Sequence, residues 1–221
     1  MGSYPNKRRE RQNCDRAAEC PVKAAAEKDL LGGLLAYSQS RASADFLLRH
    51  YPSLGHVLAA EPAQLGAFGL TAHDVTLLRL VRETACRLAK AEVRLRVTIN
   101  NWHTLIAYLQ TAMAYEQIEQ FRVLFLDRKN NLISDEVQQV GTVNHTPVYP
   151  CEVMKRALIL NASALIAVHN HPSGDSKPSQ EDIEMTRQLK AAADALGLEL
   201  HDHLIIGHGK HASFRSLGLL G

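Results

Sequence analysis

The stretch "ALIAVHNHPSGDSKPSQEDIEMTRQLKAAADAL", residues 164–196, constrains this chain more than any other. A short apolar run ends in polar residues, and Pro172, Gly174 and Pro178 then supply turn chemistry. Ser179 and Asp182 follow at the spacing of a helix N-cap and its third residue, with Pro178 just ahead. The pattern predicts a strand, a turn and a helix over 179–196 with Ile183, Leu189 and Leu196 facing inward. Side chains alternate along a strand, so His169 and His171 leave it on the same side. Strand ends are where open α/β sheets place their chemistry. Two readings stand side by side. In one, Ser179 and Asp182 only cap a helix and the histidines are polar residues at a strand end. In the other, two imidazoles and the Asp182 carboxylate hold zinc, with a fourth position open for water. They are compatible, because a cap can hold the acid rigid while it binds the ion.

The rest of the chain sets the frame. Residues 1–24 lack apolar periodicity, and "NKRRERQ" within them predicts a flexible basic tail. From Asp29 helical spacing begins, broken at Ser38–Ser40, Pro52–Gly55, Pro62, Gly66 and Gly69. Residues 25–91 therefore read as a small all-α domain of four or five helices. In the last of them, opened by a Thr71–Asp74 capping box, Val75, Leu78, Val81 and Ala85 share a face. "VRLRVTIN" alternates apolar and basic residues, which predicts a linker or edge strand over 92–98.

Residues 99–221 read as an α/β domain. Trp102, Leu105, Ile106, Leu109 and Met113 mark a helix. "FRVLFLD" is a buried strand, "RKN" with Asn131 a hairpin turn, and "LISDEVQQVGTV" the return. Pro150 opens a helix with Val153, Ala157, Leu158 and Leu160 on its apolar side. "LELHDHLIIG" and "ASFRS" are the last strands.

A formal net charge of +2 does not advertise nucleic-acid binding. No apolar run approaches the ~20 residues of a membrane span, and Cys14, Cys20, Cys86 and Cys151 form no C-x-x-C pair. The expectation is a cytoplasmic chain with free thiols.

H-x-H, seven residues, S, two residues, D is the JAMM signature of the MPN metallopeptidases, and His169, His171, Ser179 and Asp182 match it. More narrowly, "HNHPSG", the preceding "GTVNHTPVYPCEVMKRALILNASALIAVHNH", the following "DHLIIG" and the closing "SFRSLGLL" resemble the RadC family across 99–221. The resemblance implies a JAMM/MPN mixed sheet flanked by helices, preceded by a helix-hairpin-helix-like domain. It implies one zinc per chain on His169, His171 and Asp182, lowering the pKa of bound water and polarising a scissile carbonyl. Ser179 would stabilise the oxyanion. The family's upstream general base falls on Glu119 in "EQFRVL", with Glu116 and Glu136 as fallbacks.

The chain departs from the family at Thr71, where a second hairpin glycine is usual after Gly69, and at Ser176, usually proline. The first departure removes part of a phosphate-cradling turn and weakens the expectation of DNA binding. The second should loosen the loop slightly. His201–Asp202–His203 lacks a third ligand and suits packing or support of the metal ligands. His208 and His211 read as an exposed turn and its flank, and Cys151 has no base partner. The function expected is a zinc hydrolase cutting a peptide or isopeptide bond in a protein or peptide substrate. The alternatives are a DNA-processing accessory of the RadC type and a non-catalytic interaction module.

Overall fold

A computed structural model of the protein describes residues 26–36, 42–96, 102–141 and 148–220. The predicted basic tail, with Cys14 and Cys20, lies outside the described residues, as do 97–101 and the 142–147 part of the RadC-like stretch.

The first described region holds α1 (Glu27–Leu35), α2 (Ala44–His50), α3 (Leu54–Ala59), α4 (Pro62–Ala67) and α5 (Ala72–Arg96). Ser43 and Ser53 cap α2 and α3, each hydroxyl accepting a backbone N–H three residues on. Leu31, Leu47, Val57, Leu65 and Leu78 pack into one small core. The face predicted for α5 is corrected in part: Leu78 is buried and Ala85 is exposed. The expected linker or edge strand at 92–96 is likewise helical, because α5 runs on to Arg96. Its apparent alternation is too short to define a period. Ala89 and Val93, one helical turn apart, pack into the core that α6 shares with the sheet of the second region.

That region contains α6 (Trp102–Met113), β1 (Gln120–Leu126), β2 (Leu132–Val140), α7 (Pro150–Ile159), β3 (Ala164–Asn170), α8 (Gln180–Ala195), β4 (Glu199–Gly207) and β5 (Lys210–Ser213). The fold is α/β, as the sequence predicts: a five-stranded mixed sheet in the order β2-β1-β3-β4-β5, flanked by helices. Only β3 and β4 pair in parallel, and α8 makes the crossover between them. The β1–β2 turn closes on Asp127, whose carboxylate accepts N–H groups from Lys129 and Asn131.

Leu105, Leu109 and Met113 of α6 cover one sheet face, on Leu124, Ile166, Val168 and Leu204. Val153 and Ala157 of α7 and Leu189 and Ala193 of α8 cover the other, on Phe121, Phe125, Leu165 and Ala167. Burying a side chain such as Leu189 contributes about 1.5–3 kcal/mol. Two inward assignments are corrected. Leu158 and Leu196 are exposed; Met154 takes the place of Leu158 on α7, and α8 ends before Leu196, with Gly197 at φ 68°.

One irregularity positions the site. Leu165 pairs with Leu200 but Ile166 pairs with Asp202, so His201 is an extra residue in β4. This bulge puts Leu200 and His203 on the same face, toward α8; regular alternation would have opposed them. Among the described residues no helix is long and apolar enough to cross a membrane.

Candidate metal centre

His169 is the last residue but one of β3, His171 directly follows the strand, and Asp182 occupies the first turn of α8. One ligand atom from each lies within 4.8 Å of the others. His169 Nε2 is 3.0 Å from His171 Nε2 and 3.2 Å from Asp182 Oδ1, and His171 Nε2 is 3.5 Å from Asp182 Oδ2. Atoms ~2.0–2.1 Å from a tetrahedral ion stand about 3.3 Å apart, and each of these separations is close to that, the two imidazoles facing different oxygens of the one carboxylate. The donor set could hold a single metal ion, with further positions left to other ligands.

The hydrogen bonds behind these atoms fix which imidazole nitrogen faces the centre. His171 Nδ1 is 2.7 Å from the Asp175 carbonyl, which can only accept; the proton is therefore on Nδ1 and Nε2 is free to ligate. The Thr186 hydroxyl donates to the Asp182 carbonyl at 2.6 Å, so its oxygen accepts from His203 Nδ1, also at 2.6 Å. His203 Nε2 is then an acceptor, and His169 Nδ1, 2.8 Å away, donates to it. His169 is left with Nε2 bare, facing the centre. This chain requires neutral His203, and burial, with His169 beside it, pushes the His203 pKa well down.

Asp182 forms the cap that its spacing predicts and keeps its carboxylate beside the two imidazoles. Its Oδ2 accepts the Ser179 N–H at 2.8 Å, while Ser179 Oγ accepts the Asp182 N–H at 3.1 Å. This reciprocal cap fixes the carboxylate at the start of α8. Burial drives its pKa up, but when the imidazoles carry a second proton on Nε2 their bonds to the carboxylate outweigh burial and hold it far below the carboxylate range. The same bond shifts His171 up, against the opposing effect of burial, so an ion at the centre takes the place of those Nε2 protons.

Asn170, between the two histidines, points away from them and fixes the approach to β1. Its Oδ1 accepts the Gln120 N–H at 2.9 Å, and its Nδ2 donates to the carbonyls of Glu116 and Ile118. Phe121 pairs with His169, and Glu119, just ahead of β1, stands near enough for its charge to act on the His171 imidazole. The two fallback glutamates are engaged elsewhere. Glu116 pairs with Arg82 of α5. Glu136 accepts Arg156 Nε at 2.8 Å and Nη2 at 2.7 Å.

The loop over the site is set by close backbone approaches. Gly174 has φ 81°, and a Cβ there would lie 2.5 Å from His208 Nδ1; a Cβ on Gly207 would overlap the Gly174 carbonyl oxygen. The expectation of an exposed His208 is corrected: it is half-buried, stacked on Tyr115 with centroids 5.5 Å apart and edge-on to His56 of α3. His211 is exposed. The His201–His203 motif divides its work. Asp202 accepts the Ser213 hydroxyl and the Arg215 N–H, holding the chain after β5; His203 supports His169; His201 bonds Asn130. Cys151 is exposed. In the helical region the Thr71 N–H donates to Asp74 Oδ2 at 2.8 Å, so this amide is occupied by a carboxylate. Sequence reasoning missed Thr186 and Asn170; the only signals were a hydroxyl one helical turn after Asp182 and the polar residue inside H-x-H.

Two imidazoles at a strand end and a carboxylate at the next helix start define an α/β domain able to hold one metal ion. The chain belongs to the RadC family: a RadC-like JAB domain matches residues 99–219. It is 58% identical over 175 residues to a UPF0758 protein of Rhodobacter capsulatus, covering 79% of this chain and 82% of that one. It is 52% identical over 178 residues to a UPF0758 protein of Ruegeria pomeroyi, covering 80% of each.

Proposed function

We propose that the protein is a zinc-dependent hydrolase of the JAMM type that cuts a peptide or isopeptide bond in a protein or peptide substrate. The observation that carries the reading is the convergence of two bare imidazole nitrogens and a carboxylate within 4.8 Å, each held from behind. A zinc ion there supplies Lewis acidity toward a carbonyl and acidifies water.

The chain's own residues do the rest. Glu119, whose charge reaches the His171 imidazole, takes the proton from the attacking water and passes it to the leaving amine. Ser179 accepts the Asp182 N–H through its oxygen, which leaves its hydroxyl hydrogen to donate to the developing oxyanion. Asn170 holds the 116–120 segment so that Glu119 does not have to be recruited. Cys86 and Cys151 are free thiols, which suits a reducing cytoplasm. Duplex DNA is not the partner proposed for the helical region, because Asp74 stands at the Thr71 amide where a phosphate would dock.

The test is hydrolysis of a panel of peptide and isopeptide substrates by zinc-loaded wild type, Glu119→Gln and Ser179→Ala. Glu119→Gln should keep its metal and lose activity by about 10²–10⁴-fold, the usual worth of a general base. Undiminished activity in Glu119→Gln refutes the assignment.

A further inference from the structure

Arg79, Arg82, Cys86 and Lys90 recur along α5 at spacings of three and four and form one stripe. The stripe is one wall of a cleft of about 460 Å³ between the helical region and the sheet domain. Tyr108, Glu116 and Arg122 supply the opposite wall, and Leu58, Ala59 and Ala112 give it an apolar end.

Its charges do not balance. Asp135, whose side chain is fully buried, accepts Arg122 Nη1 at 2.7 Å and Lys90 Nζ at 3.0 Å, so one carboxylate serves two cations. Arg82 pairs with Glu116, and Arg87 with Glu83. Arg79 has no ion-pair partner among the described residues and stands exposed at the mouth. Five cations thus meet three carboxylates, an excess of two. Arg122 Nε is also buried with no hydrogen-bond acceptor among the described residues, so this guanidinium is incompletely satisfied by the protein.

We propose that this cleft is a binding site for a phosphoryl group carried on a small, nucleotide-sized ligand. A phosphate monoester carries about −1.5 to −2 charges at neutral pH, which matches the excess. Arginine guanidiniums suit phosphate oxygens through paired N–H donors. The volume falls within the ~300–1,000 Å³ range of small-molecule sites. A concave pocket with an apolar end suits the body of a nucleotide, whereas a duplex backbone needs an extended basic track. The cleft also adjoins the candidate metal centre: Arg82 holds the Glu116 carboxylate, and the Glu116 carbonyl accepts Asn170 Nδ2.

Isothermal titration of the full chain with inorganic phosphate, pyrophosphate, ADP and a short DNA duplex tests the site. ADP should bind more tightly than inorganic phosphate. Arg79→Ala should weaken ADP by about tenfold, as for losing one hydrogen bond to a charged group, and Arg79→Glu by more. Arg79 has no ion-pair partner among the described residues, so both variants should melt like wild type. Arg187→Ala, which removes an exposed arginine of α8, should bind as wild type does. Failure of ADP, pyrophosphate and phosphate to bind at about 10 mM, tenfold above a millimolar dissociation constant, overturns the proposal. So does ADP binding indifferent to Arg79→Glu, equal affinity for ADP and inorganic phosphate, or duplex binding that ADP does not displace.

Discussion

Replacing Thr186 with valine preserves the shape of the side chain and removes one hydroxyl. That hydroxyl ends the chain running from His169 through His203 to the Asp182 carbonyl. Without it, His203 Nδ1–H is a buried donor facing a methyl group, on a side chain with no solvent exposure. Leaving such a donor unpaired costs about 1–3 kcal/mol. At ~2–4 °C per kcal/mol for a chain of this size, Tm should fall by about 2–12 °C. His203 can avoid the cost by moving its proton to Nε2. His169 Nδ1 must then become the acceptor, and the His169 proton goes to Nε2, the atom that faces the metal centre. Metal affinity should therefore drop as well, by about 10- to 100-fold, the usual effect of removing a group that orients a ligand. The assays are thermal melting of chelator-treated protein and zinc titration against a competing chelator. Thr186→Ser keeps the hydroxyl and should retain metal affinity, losing only about 0.8 kcal/mol of methyl burial. A valine variant with wild-type Tm and wild-type zinc affinity refutes the tautomer argument.

A methyl group at Gly207 has nowhere to go but into the Gly174 carbonyl; Gly207→Ala should cost about 1–3 kcal/mol by thermal melting, as overpacking does, and shift the loop that holds His171 Nδ1. Asp135→Asn should cost about 3–5 kcal/mol in urea unfolding, because Arg122 and Lys90 lose their shared partner. Burial raises the Asp135 pKa, but Arg122, Tyr108 and Lys90 more than offset it and hold the carboxyl below its ordinary value. The depressed folded pKa means that its stabilisation is complete above the unfolded value of about 3.9 and is lost as pH falls further. The asparagine variant should therefore lose less stability than wild type between about pH 4 and pH 2.

What could be read from the sequence was local. Strand alternation placed His169 and His171 together, and the Ser179–Asp182 spacing announced a cap that the structure forms in both directions. The order of strands and helices after Trp102 followed from period and turn residues. What could not be read depends on partners far along the chain. His203 faces α8 only because His201 is an extra residue in the pairing of β4 with β3, which neither segment reveals alone. Thr186 looks like an ordinary helix residue until His203 is brought to it across 17 positions. Asn170 gains its role from the Glu116–Gln120 segment about 50 residues earlier. The end of α5 was misread because four alternating residues mimic a strand, whereas Ala89 and Val93 join the core around α6 at helical spacing. Leu158 and Leu196 lie at helix ends, where a face drawn from periodicity alone turns out to solvent.

The most direct measurement is the metal content of purified, dialysed protein by elemental mass spectrometry, comparing wild type with His171→Ala and Asp182→Asn. The account predicts about one zinc per wild-type chain, the stoichiometry of a single three-ligand site, and loss of most of it in both variants, with the fold retained by circular dichroism. Equal zinc in all three proteins, or none in wild type prepared in zinc-replete medium, contradicts it.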